Sequence, residues 1–92
     1  MRNIVLDIQP MEEKSALHQY VKEQFEFSFG YGANLDSLYD ELTSLEEPCT
    51  LTLRYSAKPK GAMVAYLPRL LATFKDAARE NYNLVLHLEE AE

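Results

Sequence analysis

The chain has 92 residues, 47% apolar and 26% charged, with a net charge of −6 and a pI near 4.8. One small domain spanning residues 1–92 is expected, with a modest core, and the composition excludes a disordered chain. The acidic balance repels nucleic acid and anionic membrane and favours basic protein partners.

Cys49 stands alone, so no intramolecular disulfide can form. It reads as a small buried apolar group in a reducing compartment. Residues 1–7 hold a short apolar run broken by Asp7, neither a secretory signal nor a membrane span. The expected location is the cytoplasm.

Residues 3–8 alternate, with Ile4, Leu6 and Ile8 on one side and Val5 and Asp7 on the other. This is the signature of a strand with one buried face, and Pro10 ends it. Leu17, Tyr20, Val21, Gln24 and Phe25 recur at helical spacing over residues 13–25, with Ser15 an alternative cap. Residues 26–33 form a loop rich in aromatics and glycine. Gly30 and Gly32 there suit a backbone of positive φ. Asn34 reads as the cap of a second helix reaching about Leu45, with Leu35, Leu38, Leu42 and Leu45 facing inward.

After Pro48, Leu51, Leu53 and Tyr55 alternate with Thr50, Thr52 and Arg54 as a second strand. Residues 62–66 read as a short helical piece, and Pro68 as the first turn of a new helix. That helix would bury Leu67, Leu70, Leu71, Phe74, Ala77 and Ala78 and stop at Asn81. Residues 83–88 alternate once more, with Leu84, Leu86 and Leu88 on one face. Helical crossovers between strands require parallel pairing. Strands with one apolar and one mixed face do not fit a doubly covered sheet. The expected fold is therefore a two-layer α/β domain: a three-stranded parallel sheet with helices packed mainly on one face.

Three segments together resemble the barstar-like family of intracellular ribonuclease inhibitors. They are Leu17-His18-Gln19; Tyr31-Gly32, Asn34-Leu35-Asp36, Leu38 and Asp40; and Thr73-Phe74-Lys75-Asp76-Ala77 with Glu80. The resemblance spans most of the chain and implies the same two-layer fold. It further implies that the second helix and the loop before it enter a ribonuclease active site, with Asp36 and Asp40 as the helix carboxylates. Asp40 would lie nearest the enzyme's phosphate-binding groups, standing in for RNA phosphate. Tyr39 stands where the family has a tryptophan. Asp76 replaces a glutamate and implies a rim contact, with Thr73 beside it. The chain departs from the pattern at Gly30, where an aromatic is expected and Phe29 could take its place. Ala33 replaces a loop glutamate, and Glu41 and Tyr82 replace two cysteines.

The same residues carry a physical reading. Asp36 and Asp40 lie four apart and so share a helix face, roughly opposite the leucines. The small residues Thr43 and Ser44 share that face, and Tyr39 borders it. Alone, Asp36 is explained by the helix dipole, whereas Asp40 lies past the first turn. Asp76 reads equally as a surface ion pair with a neighbouring arginine or as a contact. Phe27 and Phe29 read as core, and Tyr31 equally as core or contact. His18 and His87 are isolated, which excludes metal ligation, and no nucleophile–base pair is evident. The expectation is a non-enzyme without cofactor or metal, a monomer when free. Its partner would be a basic secreted ribonuclease, bound through Asp36, Asp40, Tyr39, Tyr31, Phe29, Gly32, Asn34, Thr43, Ser44, Asp76 and Thr73. Two alternatives remain. One is an immunity-type or interaction protein for a different basic partner. The other is a small hydrolase whose Asp36, Asp40 and Asp76 converge on Mg²⁺.

Overall fold

A computed structural model describes residues 2–91. The order is β1 (Arg2–Asp7), α1 (Lys14–Phe25), α2 (Leu35–Thr43), β2 (Cys49–Ser56), α3 (Met63–Glu80) and β3 (Leu84–Ala91). The strands form one all-parallel sheet in the order β1-β2-β3. The expected two-layer α/β fold is what forms.

Register explains the two faces. Ile4, Leu51 and Leu86 align across the sheet, as do Leu6, Leu53 and Leu88. Because side chains alternate along a strand, both rows point to the same side and join one core with Leu17, Val21, Leu38, Leu42, Leu70 and Phe74 from the helices. The intervening rows Val5–Thr52–His87 and Asp7–Arg54–Glu89 point the other way. Val5 is 47% exposed, and Arg54 pairs with Glu89 at 2.7 Å. Cys49 is buried, as expected, and burial pushes its thiol pKa up.

Several local expectations are corrected. Residues 62–80 do not form two helices: α3 runs unbroken from Met63 and holds Pro68 in its interior. Proline there removes one backbone donor and crowds the preceding turn. Met63, Tyr66, Leu67 and Leu70 bury one continuous face on both sides of Pro68, which is itself exposed, and this packing outweighs the local defect. Glu13 rather than Ser15 holds the N-cap position of α1, without a side-chain cap bond. On that helix the buried face takes in His18, while Gln24 is exposed.

Helix α2 stops at Thr43 rather than Leu45. The buried Asn81 amide donates to the carbonyl oxygens of Leu42 and Leu45, both at 3.0 Å. The residue that caps the end of α3 through its backbone amide thus binds, through its side chain, a carbonyl in the last turn of α2 and one in the segment just past it, groups that a helix end leaves without an internal partner. It also fixes the two helices to each other.

Candidate partner-binding surface

Helix α2 is held at both ends. At its start the Asn34 side chain accepts from the Ser37 amide at 2.8 Å and donates to the Gly32 carbonyl at 3.2 Å. The Ser37 hydroxyl accepts from the Gly32 amide at 2.8 Å. The first of these satisfies an amide that a helix start leaves orphaned, and the other two tie the loop to the helix. The left-handed positions of the loop are Glu26, at φ 59°, and Ala33, at φ 54°. Neither Gly30 nor Gly32 has positive φ, contrary to expectation. Gly32 is needed for space instead: a Cβ there would sit 3.1 Å from Asn34 Nδ2 and 3.2 Å from Ser37 Cβ. At the other end of α2, the Thr43 and Ser44 hydroxyls donate back to the Tyr39 and Asp40 carbonyls at 2.8 and 2.6 Å.

The loop rests on an aromatic chain. Phe25 stacks on Phe27, Phe27 meets Tyr31, and each pair of rings is 5.0 Å apart. Tyr31 is buried, so its ring supports the loop from inside rather than lying open to a partner. Its hydroxyl lies 2.6 Å from His18 Nδ1, and the Tyr66 hydroxyl lies 2.6 Å from His18 Nε2. His18 is therefore not isolated. It joins α1, the loop and α3 through two hydrogen bonds inside the core. Burial lowers the His18 pKa and raises those of Tyr31 and Tyr66.

Phe29 is the reverse case. Expected in the core, it is 97% exposed at the loop tip, with Lys22 Nζ 5.4 Å from its ring centroid. The turn around Gly30 swings it outward, because Tyr31 and Phe27 already fill the space beneath the loop. Asp36 and Asp40 are both exposed, and Tyr39 is half-buried against the core edge. Among the described residues neither carboxylate enters a hydrogen bond or ion pair. Four residues of α-helix separate the two by about 6 Å along the axis, which leaves a shallow anionic strip bordered by Tyr39, Thr43 and Ser44.

On α3, Arg69, Thr73 and Asp76 follow one stripe at helical spacing. The Thr73 hydroxyl donates to the Arg69 carbonyl at 2.9 Å, and Asp76 pairs with Arg79. Asp36 and Arg69 line a common cleft, so this stripe flanks the acidic strip. Asp76 lies at the far end of this stripe with its charge already engaged by Arg79. Among the described residues no three His, Cys, Asp or Glu side chains lie close enough to hold a metal ion, which disfavours convergence of Asp36, Asp40 and Asp76 on Mg²⁺. His87 lies exposed on the open sheet face, away from these groups. No helix among the described residues is long and apolar enough to cross a membrane.

Sequence reasoning did not place Lys14 or Arg69 at this surface, where both line a cleft with Asp36. Tyr82 is 91% exposed and follows the asparagine that binds the end of α2.

Comparison with known proteins gives concordant results. The family model described as Barstar (barnase inhibitor) matches residues 1–89. A protein of Bacillus subtilis (strain 168), named "Putative ribonuclease inhibitor YrdF", is 32% identical over 81 residues, covering 87% of this chain and 89% of the relative. The match runs through all three strands and all three helices. It includes the capped helix with its two open carboxylates, and the chain belongs to the barstar family.

Proposed function

We propose that this chain is a non-catalytic, cytoplasmic inhibitor that binds one molecule of a basic secreted ribonuclease and covers its active site with α2 and the preceding loop. One observation carries the reading. Asp36 and Asp40 stand exposed and, among the described residues, without a hydrogen-bond or ion-pair partner, on a helix fixed at both ends. Two like charges at this spacing cost a few tenths of a kcal/mol in an isolated helix. A cleft lined with arginine and histidine reverses that sign, because charge-assisted and bidentate bonds to carboxylate are strong. Such a cleft exists in an enzyme that holds RNA phosphate, and a carboxylate occupies a phosphate position well. Family membership supports a ribonuclease as the partner.

Within this arrangement Asp40 is the central charge and Asp36 flanks it. Tyr39 and Phe29 supply apolar contact area, the kind of anchor enriched at interfaces. Thr43 and Ser44 keep the strip low enough for close approach. Gly32 and Asn34 shape the loop and the start of α2, and Tyr31 supports them from beneath. Thr73 and Asp76 lie at the rim. The free chain is a monomer that forms a one-to-one complex. Calorimetric titration into purified basic extracellular ribonucleases tests this. Tight binding at unit stoichiometry that Asp40→Ala abolishes is the expected result, and equal binding by Asp40→Ala overturns the placement of the site.

A further inference from the structure

Two cations sit beside the acidic strip. Lys14, at the start of α1, holds its Nζ 4.9 Å from the ring centroid of Tyr66. Arg69, on α3, holds its guanidinium carbon 5.9 Å from the same ring. That ring is fixed, because its hydroxyl is bonded to buried His18. The ion pairs among the described residues are Arg54–Glu89 and Arg79–Asp76, so neither Lys14 nor Arg69 has an acidic partner. Both are exposed. With Tyr66, Asn34 and Asp36 they line a cleft of about 300 Å³.

A chain of net charge −6 thus keeps two unpaired cations next to the carboxylates it offers to a basic enzyme. If the partner presented only cations, Lys14 and Arg69 would weaken the complex by repulsion. A partner with an acid at this place turns the same pair into a selective contact. Specificity built this way combines a new attraction with rejection of partners that lack it. The geometry suits a carboxylate. The guanidinium offers a planar fork, Lys14 adds a point charge, and the Tyr66 ring gives a rigid apolar floor that limits hydration.

We infer that the Lys14–Arg69–Tyr66 cleft receives an aspartate or glutamate side chain of the ribonuclease. Partner choice is then set by an acid of the enzyme as well as by its cations. This rests on the inhibitor reading and names a second, oppositely charged contact within it.

The sign of one effect decides the matter. Replacing Arg69 by Glu adds negative charge to a protein that binds a basic enzyme. If nothing acidic docks here, association speeds up and binding tightens through steering. If a carboxylate docks here, the new repulsion weakens binding, by roughly 5-fold at the upper end for exposed pairs. The probe is a purified basic extracellular ribonuclease from Bacillus, followed by calorimetry and stopped flow. Weaker binding of Arg69→Glu and Lys14→Glu, with Arg69→Lys close to the parent, is expected. Equal or tighter binding of both reversal variants overturns the inference. Asp40→Ala runs in parallel, and its loss of binding shows that the inhibitor reading holds independently.

If the parent protein does not bind the enzyme, the inhibitor reading fails for that enzyme, and a second arm tests the cleft by itself. N-acetylglutamate α-amide and inorganic phosphate are titrated separately into the free protein at matched ionic strength, followed by NMR. Saturable shifts at the Asn34 side-chain amide and the Tyr66 ring with the blocked glutamate, lost in Arg69→Glu, support a carboxylate site. No saturable shift, or a response to phosphate alone, overturns it. Far-UV circular dichroism checks that each variant is folded, and Lys14→Glu serves if Arg69→Glu is not.

Discussion

Replacing His18 by Leu removes both ring nitrogens and retains an apolar side chain in the core. It leaves two tyrosine hydroxyls without their partner, on residues 8% and 6% exposed for Tyr31 and Tyr66. An orphaned buried hydroxyl costs about 1–3 kcal/mol. His18→Leu should therefore destabilise the fold by about 2–6 kcal/mol on the same basis. Adding Tyr31→Phe removes one orphan and should restore about 1–3 kcal/mol. The chain has no tryptophan, so urea unfolding is best followed by far-UV circular dichroism. The same pair gives a pH signature. Neutral imidazole donates to one tyrosine and accepts from the other, whereas imidazolium has no acceptor for the second. Burial lowers the folded-state pKa below the ordinary 6.5, so the folded protein favours the neutral ring. This contribution is complete above about pH 6.5 and is lost as pH falls through the lowered folded-state pKa. The difference in stability between parent and His18→Leu should shrink over that window. A loss below about 0.5 kcal/mol, or no recovery with Tyr31→Phe, refutes this role for His18.

The remaining predictions concern binding and the loop. Asp40→Ala should weaken ribonuclease binding by about 2–5 kcal/mol, because the partner's cations are left buried and unpaired; this general range draws in part on inhibitor pairs of this family rather than on this chain. Asp36→Ala should cost less, and Asp76→Ala about 1 kcal/mol or less, since Arg79 already engages that exposed carboxylate; calorimetry that ranks Asp76 above Asp40 contradicts this. Association with a basic ribonuclease should slow with added salt while dissociation changes less, and stopped-flow rates indifferent to salt speak against steering. Asn34→Ala should lower stability by about 1 kcal/mol through loss of the helix cap, and Gly32→Ala by a similar amount (about 1 kcal/mol) through crowding against Asn34 and Ser37. Thermal melts of both variants that match the parent contradict the described loop.

Much of this protein could be read before its structure because its signals are periodic. Ile4, Leu6 and Ile8, then Leu51 and Leu53, alternate cleanly, and helices between them leave parallel pairing as the consistent topology. Asn34 was legible as a cap because its side chain acts locally, on Ser37 three residues away. Pro68 misled because proline is a local signal, while the buried face that carries α3 past it is tertiary. His18 misled for a related reason: its partners are 13 and 48 residues distant, beyond any spacing rule. Phe29 and Tyr31 look alike in sequence, yet one is open and the other closed. Only the packing of Phe27 beneath the loop separates them. Lys14 and Arg69 were two ordinary surface cations until Tyr66 brought them to one cleft.

Inhibition measured against stoichiometry tests the central claim most directly. A fixed amount of a basic secreted ribonuclease, well above the dissociation constant, is titrated with the protein while RNA cleavage is followed. Activity should fall linearly to near zero at one equivalent and stay there, with no cleavage by the protein alone. Activity that remains flat past equimolar protein for every secreted microbial ribonuclease tried would contradict it.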